Sequence, residues 1–215
     1  MEKFIVLDTE TANDIDCPLC YDMGWILTDR TGTVYESYSY VISDIFLDKG
    51  LMSSAYYAER IPQYQADLNN GSRKLARFLT VKKIFNDCCK RNNVTKIFAH
   101  NARFDYKSLQ TTLRYITTSK MRFFFPYGVE IWDTLKMSRA VFKDDENYGE
   151  FCYRNDFLTK RGCRKYTAEV LYRFLTDDVT FIEEHKGLDD VMIEKEIMSE
   201  CFKRVTDLDG RLWAN

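Results

Sequence analysis

The chain has 215 residues, of which 45% are hydrophobic and 30% charged, with only three prolines. That length fits one domain, or one domain with an insertion, and it carries ample apolar material for a core. A formal net charge of -2 argues against a protein held on nucleic acid by bulk positive charge, though local basic patches remain compatible with it.

The N-terminal stretch MEKFIVLD runs straight into a strand pattern, without secretory or transit-peptide character. No apolar run approaches the ~18 residues of a membrane span, so no membrane partner is expected. Seven cysteines, an odd number without a secretion signal, predict reduced thiols and a cytoplasmic location. Cys17 and Cys20 have metal-ligand spacing, but no second C-x2-C exists, so small buried thiols are the expectation.

Residues 4–7 form a continuous apolar run and read as a central buried strand. Strands at 25–28 and 33–42, joined by the Asp29-Arg30-Thr31-Gly32 turn, complete an antiparallel meander. Residues 43–71 are irregular and read as helices and loop over one sheet edge, with Tyr56 and Tyr57 packing there rather than walling a groove. Ser72 is a candidate N-cap for a helix whose stripe is Leu75, Phe78, Leu79, Ile84 and Phe85. Residues 96–99 form a short buried strand and 101–116 a helix. Residues 123–125 and 130–133 bracket Pro126-Tyr127-Gly128 as a strand or strand pair, with a helix from Leu135. Phe123 to Phe125 lie in a basic-aromatic stretch that core packing explains at least as well as base stacking. Residues 144–166 read as a loop-rich basic excursion, and helices at 167–175 and 188–206 close the chain. The resulting order predicts a single α/β domain over 1–215: a mixed five-stranded sheet, three antiparallel strands plus parallel ones, flanked by helices.

Four carboxylates and a histidine stand out. Asp8 and Glu10 share one face of a strand end, roughly 6.5–7 Å apart at Cα. Asp105 lies one turn into the helix that follows the buried strand at 96–99, which also delivers His100 and Asn101. His185 precedes the last helix and Asp190 sits in its first turn. Carboxylates gathered in this way are best explained by divalent metal, which in enzymes most often handles phosphates. The unperturbed pKa of histidine suits a general base near neutral pH.

In order and spacing these segments resemble the DnaQ-like 3′–5′ exonucleases of the DEDDh type, with an RNase H-like fold. Asp8-Thr9-Glu10 matches the D-x-E motif. His100, Asn101, Phe104 and Asp105 match H-N-x-x-F-D, and His185 with Asp190 matches H-x4-D. Asp133-Thr134 matches a further D-T after a strand. The tyrosine branch would carry Tyr where Lys186 stands, so the histidine branch is favoured, and the closing stretch looks most like phage- and prophage-encoded members.

The resemblance implies two Mg²⁺ or Mn²⁺ ions among Asp8, Glu10, Asp105 and Asp190, with Asp8 bridging and His185 as base. It implies nucleoside 5′-monophosphates released from 3′ ends of single-stranded DNA, or of RNA. The alternative is an inactive nucleic-acid-binding or docking module on the same fold. The backbone around Thr9 would hold the 3′-OH, with Asn101 and Phe104 supporting the site. Lys160, Arg161, Arg164 and Lys165 are the candidate phosphate contacts, since a loop there needs no charge for its own structure. A polymerase or replication partner acting in trans and a homodimer are both compatible with this reading.

Overall fold

The computed structural model describes residues 2–183 and 185–213. Strand β1 (Lys3–Ala12) runs through its centre. Ile5 and Leu7 join the core on one side of the sheet, Phe4 and Val6 the core on the other. That is the two-residue period of a strand buried on both faces. β2 (Leu19–Asp29) and β3 (Val34–Ile42) complete the antiparallel meander. Three further strands run parallel to their neighbours: β4 (Lys74–Ala76) to β3, β5 (Lys96–Ala99) to β1, and β6 (Glu130–Asp133) to β5. The sheet order is β4-β3-β2-β1-β5-β6.

The mixed sheet flanked by helices is as expected, but it has six strands rather than five. Residues 74–76 form an edge strand where a helix was expected from Ser72. Between β3 and β4 the chain forms α1 (Ser43–Phe46), α2 (Lys49–Met52), a single 3₁₀ turn (Ala58–Arg60) and α3 (Ile61–Asn70). The next helix, α4 (Phe78–Arg91), starts later because Asp44 of this insertion accepts the Phe78 N–H at 2.7 Å.

α5 (Arg103–Ile116) begins after Asn101, whose φ of 63° places it outside the helix. Residues 123–125 form no strand. The three phenylalanines diverge instead of alternating: Phe124 is buried against Phe78 and Phe85, Phe125 stacks on Tyr106, and Phe123 is exposed. α6 (Thr134–Phe142) is followed by α7 (Glu146–Arg154), which Asp145 caps. The 144–166 excursion is therefore helical over much of its length, and only its second half is loop.

α8 (Ala168–Thr176) and α9 (Gly187–Arg204) close the fold. α9 buries Val191, Ile197, Met198 and Cys201 against Val6, Ile26 and Met137, while Val205 lies beyond its end. α4 and α5 cover the opposite face through Val81, Phe85, Leu109 and Leu113. No helix among the described residues is long and apolar enough to cross a membrane.

Candidate active site

The C-terminal half of β1 carries the first two carboxylates. Asp8 and Glu10 point to the α9 side, and Thr9 to the α5 side, where its hydroxyl donates to Asp105 Oδ1 at 2.9 Å. The register shifts between Glu10 and Thr11, a bulge at the point where the strand leaves the site. Asp105 is buried in the first turn of α5.

Two glycines let α9 reach this strand end. Gly24 lies opposite Asp8 on β2 and meets the backbone of Gly187, the first residue of α9. A Cβ on Gly24 would stand only 2.3 Å from the Gly187 carbonyl carbon. This bare contact is the close backbone approach that a glycine within a strand permits. It brings Asp190 and, one turn on, Glu194 down onto β1.

The result is a cluster of carboxyls, Glu10, Asp105, Asp190 and Glu194 buried and Asp8 half-buried, whose pKa values all lie high. Burial, then the charges of Asp105 and Glu194, hold Asp8 well above the usual carboxylate range. Burial, with Asp190 and Asp22 adding to it, pushes Glu10 up to about 9. Burial and the charge of Glu183 push Asp190 up to about 8. Burial raises Asp105 to about 7 against the opposing hydrogen bond from Thr9. Burial and Asp105 raise Glu194 well above its ordinary value. Groups that resist ionisation in this way are short of positive charge.

The donor set suits a divalent cation. One oxygen each of Glu10 and Asp190 and a ring nitrogen of His185 lie within 4.8 Å of one another. Asp190 Oδ1 and Glu194 Oε2 are buried without a hydrogen-bond partner among the described residues. Buried carboxylate oxygens are rarely left so, and a cation would complete them. Of the neighbouring charges, Asp105 and Glu194 bear most on Asp8, and Asp190 bears most on Glu10.

All five expected residues, Asp8, Glu10, Asp105, His185 and Asp190, line one open cleft of about 470 Å³. Thr9, Asn101, Phe104, Arg164 and Lys165 line it too. Lys160 and Arg161 are exposed and do not. They sit on the turn closed by the Leu158–Arg164 bridge. Arg164 has a structural role after all: its guanidinium donates to the carbonyls of Phe142, Lys143 and Asp145 at 2.9–3.2 Å, tying α6 to α7.

His100 is also structural. Burial lowers its pKa to about 4, so the ring is neutral at pH 7. Nε2–H donates to the Tyr166 carbonyl at 2.8 Å, which leaves Nδ1 to accept from the Thr134 hydroxyl at 3.0 Å. Asp133 caps α6 and accepts the Asn101 N–H at 3.0 Å.

Three acids escaped sequence reasoning. Glu194 follows Asp190 at the i+4 spacing that shares a helix face, and that spacing was the available signal. Glu183 lines the cleft, pushed up to about 7 by burial and Glu169. Asp22 lies opposite Glu10 on β2, fully buried. It is neutralised by Arg73 at 2.5 Å and accepts hydrogen bonds from Tyr64 and the Gly187 N–H. Tyr57, expected to pack on the sheet edge, instead lines the cleft and stacks on His185.

No family model matches the chain, and no curated protein matches its sequence. Among solved structures it is similar to E. coli exonuclease I in complex with a 5cy-dT13 oligonucleotide. That match has a TM-score of 0.57 and 15% identity, over 96% of this chain and 41% of that one. A second exonuclease I structure aligns at TM-score 0.60 and 13% identity, over 96% of this chain and 42% of that one. A zinc-bound E. coli exonuclease I–ssDNA complex aligns at 0.56 and 14%, with coverage of 96% and 42%. The chain thus spans about two-fifths of those proteins' length, and over that stretch it has their RNase H-like fold.

Proposed function

We propose that the cleft is the active site of a metal-dependent 3′–5′ exonuclease acting on single-stranded nucleic acid, DNA in preference to RNA. The observation that carries this is the meeting of Asp8, Glu10, Asp105, Asp190 and His185, from three distant segments, in one cleft. The fold shared with exonuclease I, whose structures include complexes with DNA oligonucleotides, supports the same reading. The order and spacing of the motifs support the DEDDh type.

Asp8, Glu10, Asp105 and Asp190 would hold two Mg²⁺ or Mn²⁺ ions, with Glu194 beside Asp8 and Asp105. Bound divalent cations supply neutralisation of the phosphate charge and of the carboxylates.

The protein provides the rest. His185 takes the proton of the attacking water. Water oxygen bonds to the terminal phosphorus, the bond to the preceding 3′ oxygen breaks, and that oxygen takes up a proton from solvent. The products are a nucleoside 5′-monophosphate and a chain ending in a new 3′-OH. The Thr9 backbone holds the terminal 3′-OH, Phe104 lies against the terminal nucleotide, and Asn101 supports the wall. Lys165 borders the cleft and contacts phosphate, with Lys160 and Arg161 further out along the strand, while Arg164, held by the carbonyls of Phe142, Lys143 and Asp145, shapes the cleft wall.

The test uses linear and circular single-stranded DNA, linear RNA, and the Asp105→Ala variant. Linear DNA should be digested with Mg²⁺ or Mn²⁺, with no digestion by the variant or in chelator. Circular DNA should survive. Cleavage of circles would assign an endonuclease, and binding without cleavage an inactive module.

A further inference from the structure

The insertion between β3 and α4 sends one side chain into the cleft. The Tyr57 ring lies flat on the His185 imidazole, with centroids 4.0 Å apart and planes 13° from parallel. Tyr56 stands edge-on behind it at 4.8 Å. The insertion is also stitched to the strand that carries the carboxylates. The Tyr56 N–H donates to the Thr11 carbonyl at 3.5 Å, and the Asn13 N–H to Ser54 Oγ at 2.9 Å. Thr11 is the residue after Glu10, so Tyr57 is fixed by reference to the strand that holds Asp8 and Glu10.

His185 occupies an irregular stretch of backbone. It lies in no helix or strand, and its φ of 51° is a left-handed value that side chains other than glycine rarely adopt. Residues held in such conformations gather where surrounding contacts over-determine them. A face-to-face contact restrains the tilt of the imidazole without itself using the edge nitrogens.

We propose that Tyr57 is a positioning residue that sets the His185 ring against Glu10 and Asp190, which makes the insertion part of the hydrolytic apparatus. The inference rests on reading His185 as the base. The chain has two histidines, so ¹³C-labelled histidine gives two sets of ring signals. The His100 set, its ring held by Thr134 and Tyr166, reports folding in every variant, free of metal and substrate.

In wild-type protein and in Tyr57→Phe, the His185 ring protons should be shifted upfield by the stacked ring; in Tyr57→Leu they should return downfield while those of His100 stay. Tyr57→Leu should lower kcat about 10–100-fold with KM nearly constant, and Tyr57→Phe should restore it. Unmoved His185 signals or an unchanged kcat in Tyr57→Leu would overturn the inference. So would a raised KM at constant kcat, which would assign Tyr57 to substrate contact. An inactive wild-type protein would instead defeat the nuclease reading, and the ring signals would still decide whether Tyr57 holds His185.

Discussion

Glu194 is the side chain whose substitution tells most about the cluster. Its Oε2 is buried without a hydrogen-bond partner among the described residues, and its charge couples to those of Asp8 and Asp105. Glu194→Gln keeps the shape and removes the charge. It should weaken Mg²⁺ or Mn²⁺ binding about 10–100-fold by calorimetry, within the range for groups that support metal ligands. Unchanged affinity would place Glu194 outside the metal set. The motif residues themselves were legible in the sequence because their meaning lies in local spacing: D-x-E on a strand end, H-x4-D at a helix start. Glu194 was legible only in retrospect, since it lies among the buried apolar residues Ile193, Ile197 and Met198 of the same helix. Asp22 and Arg73 were not legible at all. Their pairing depends on strand register and on an edge strand that three residues, Lys74–Ala76, do not announce.

At the scale of elements, the site depends on how closely α9 approaches β1 and β2. Gly24 and Gly187 touch backbone to backbone, and Asp22 accepts the Gly187 N–H at 3.2 Å. Gly24→Ala should therefore push the start of α9 outward. Overpacking of this kind costs about 1–3 kcal/mol, measurable by urea denaturation, and metal binding should fall with it. A Gly24→Ala protein with wild-type stability and metal affinity would contradict the packing argument. Strand β1 was readable because its continuous apolar run survives in sequence, whereas β2, buried at every position, shows no alternation and only 25–28 of Leu19–Asp29 read as strand. The 123–125 segment was misread because three consecutive phenylalanines mimic a buried strand, although they serve separate packing needs. The helix at 146–154 was hidden by its charge; its buried stripe consists of Tyr148 and Cys152 alone.

Across the whole molecule, the carboxyl cluster links stability to pH and metal. Each raised carboxyl holds its proton more tightly folded than unfolded, so ionising it destabilises the fold. The stability these protons contribute is full below the unfolded values near 4, and is lost as pH rises through about 7 for Asp105, 8 for Asp190 and 9 for Glu10. In chelator, the contribution of these groups should make Tm fall between about pH 5 and pH 9. Saturating Mg²⁺ should remove most of that fall by binding the ionised form. A metal-free Tm that rises over the same interval would contradict the account. The central claim, that these carboxyls serve removal of nucleotides from a 3′ end, is tested most directly by following a 5′-labelled single-stranded oligonucleotide in Mg²⁺. The account predicts a ladder that shortens from the 3′ end one nucleotide at a time, with nucleoside 5′-monophosphates as product and no ladder with Asp8→Asn. Internal fragments, 3′-monophosphate products, or a ladder that persists with Asp8→Asn would contradict it.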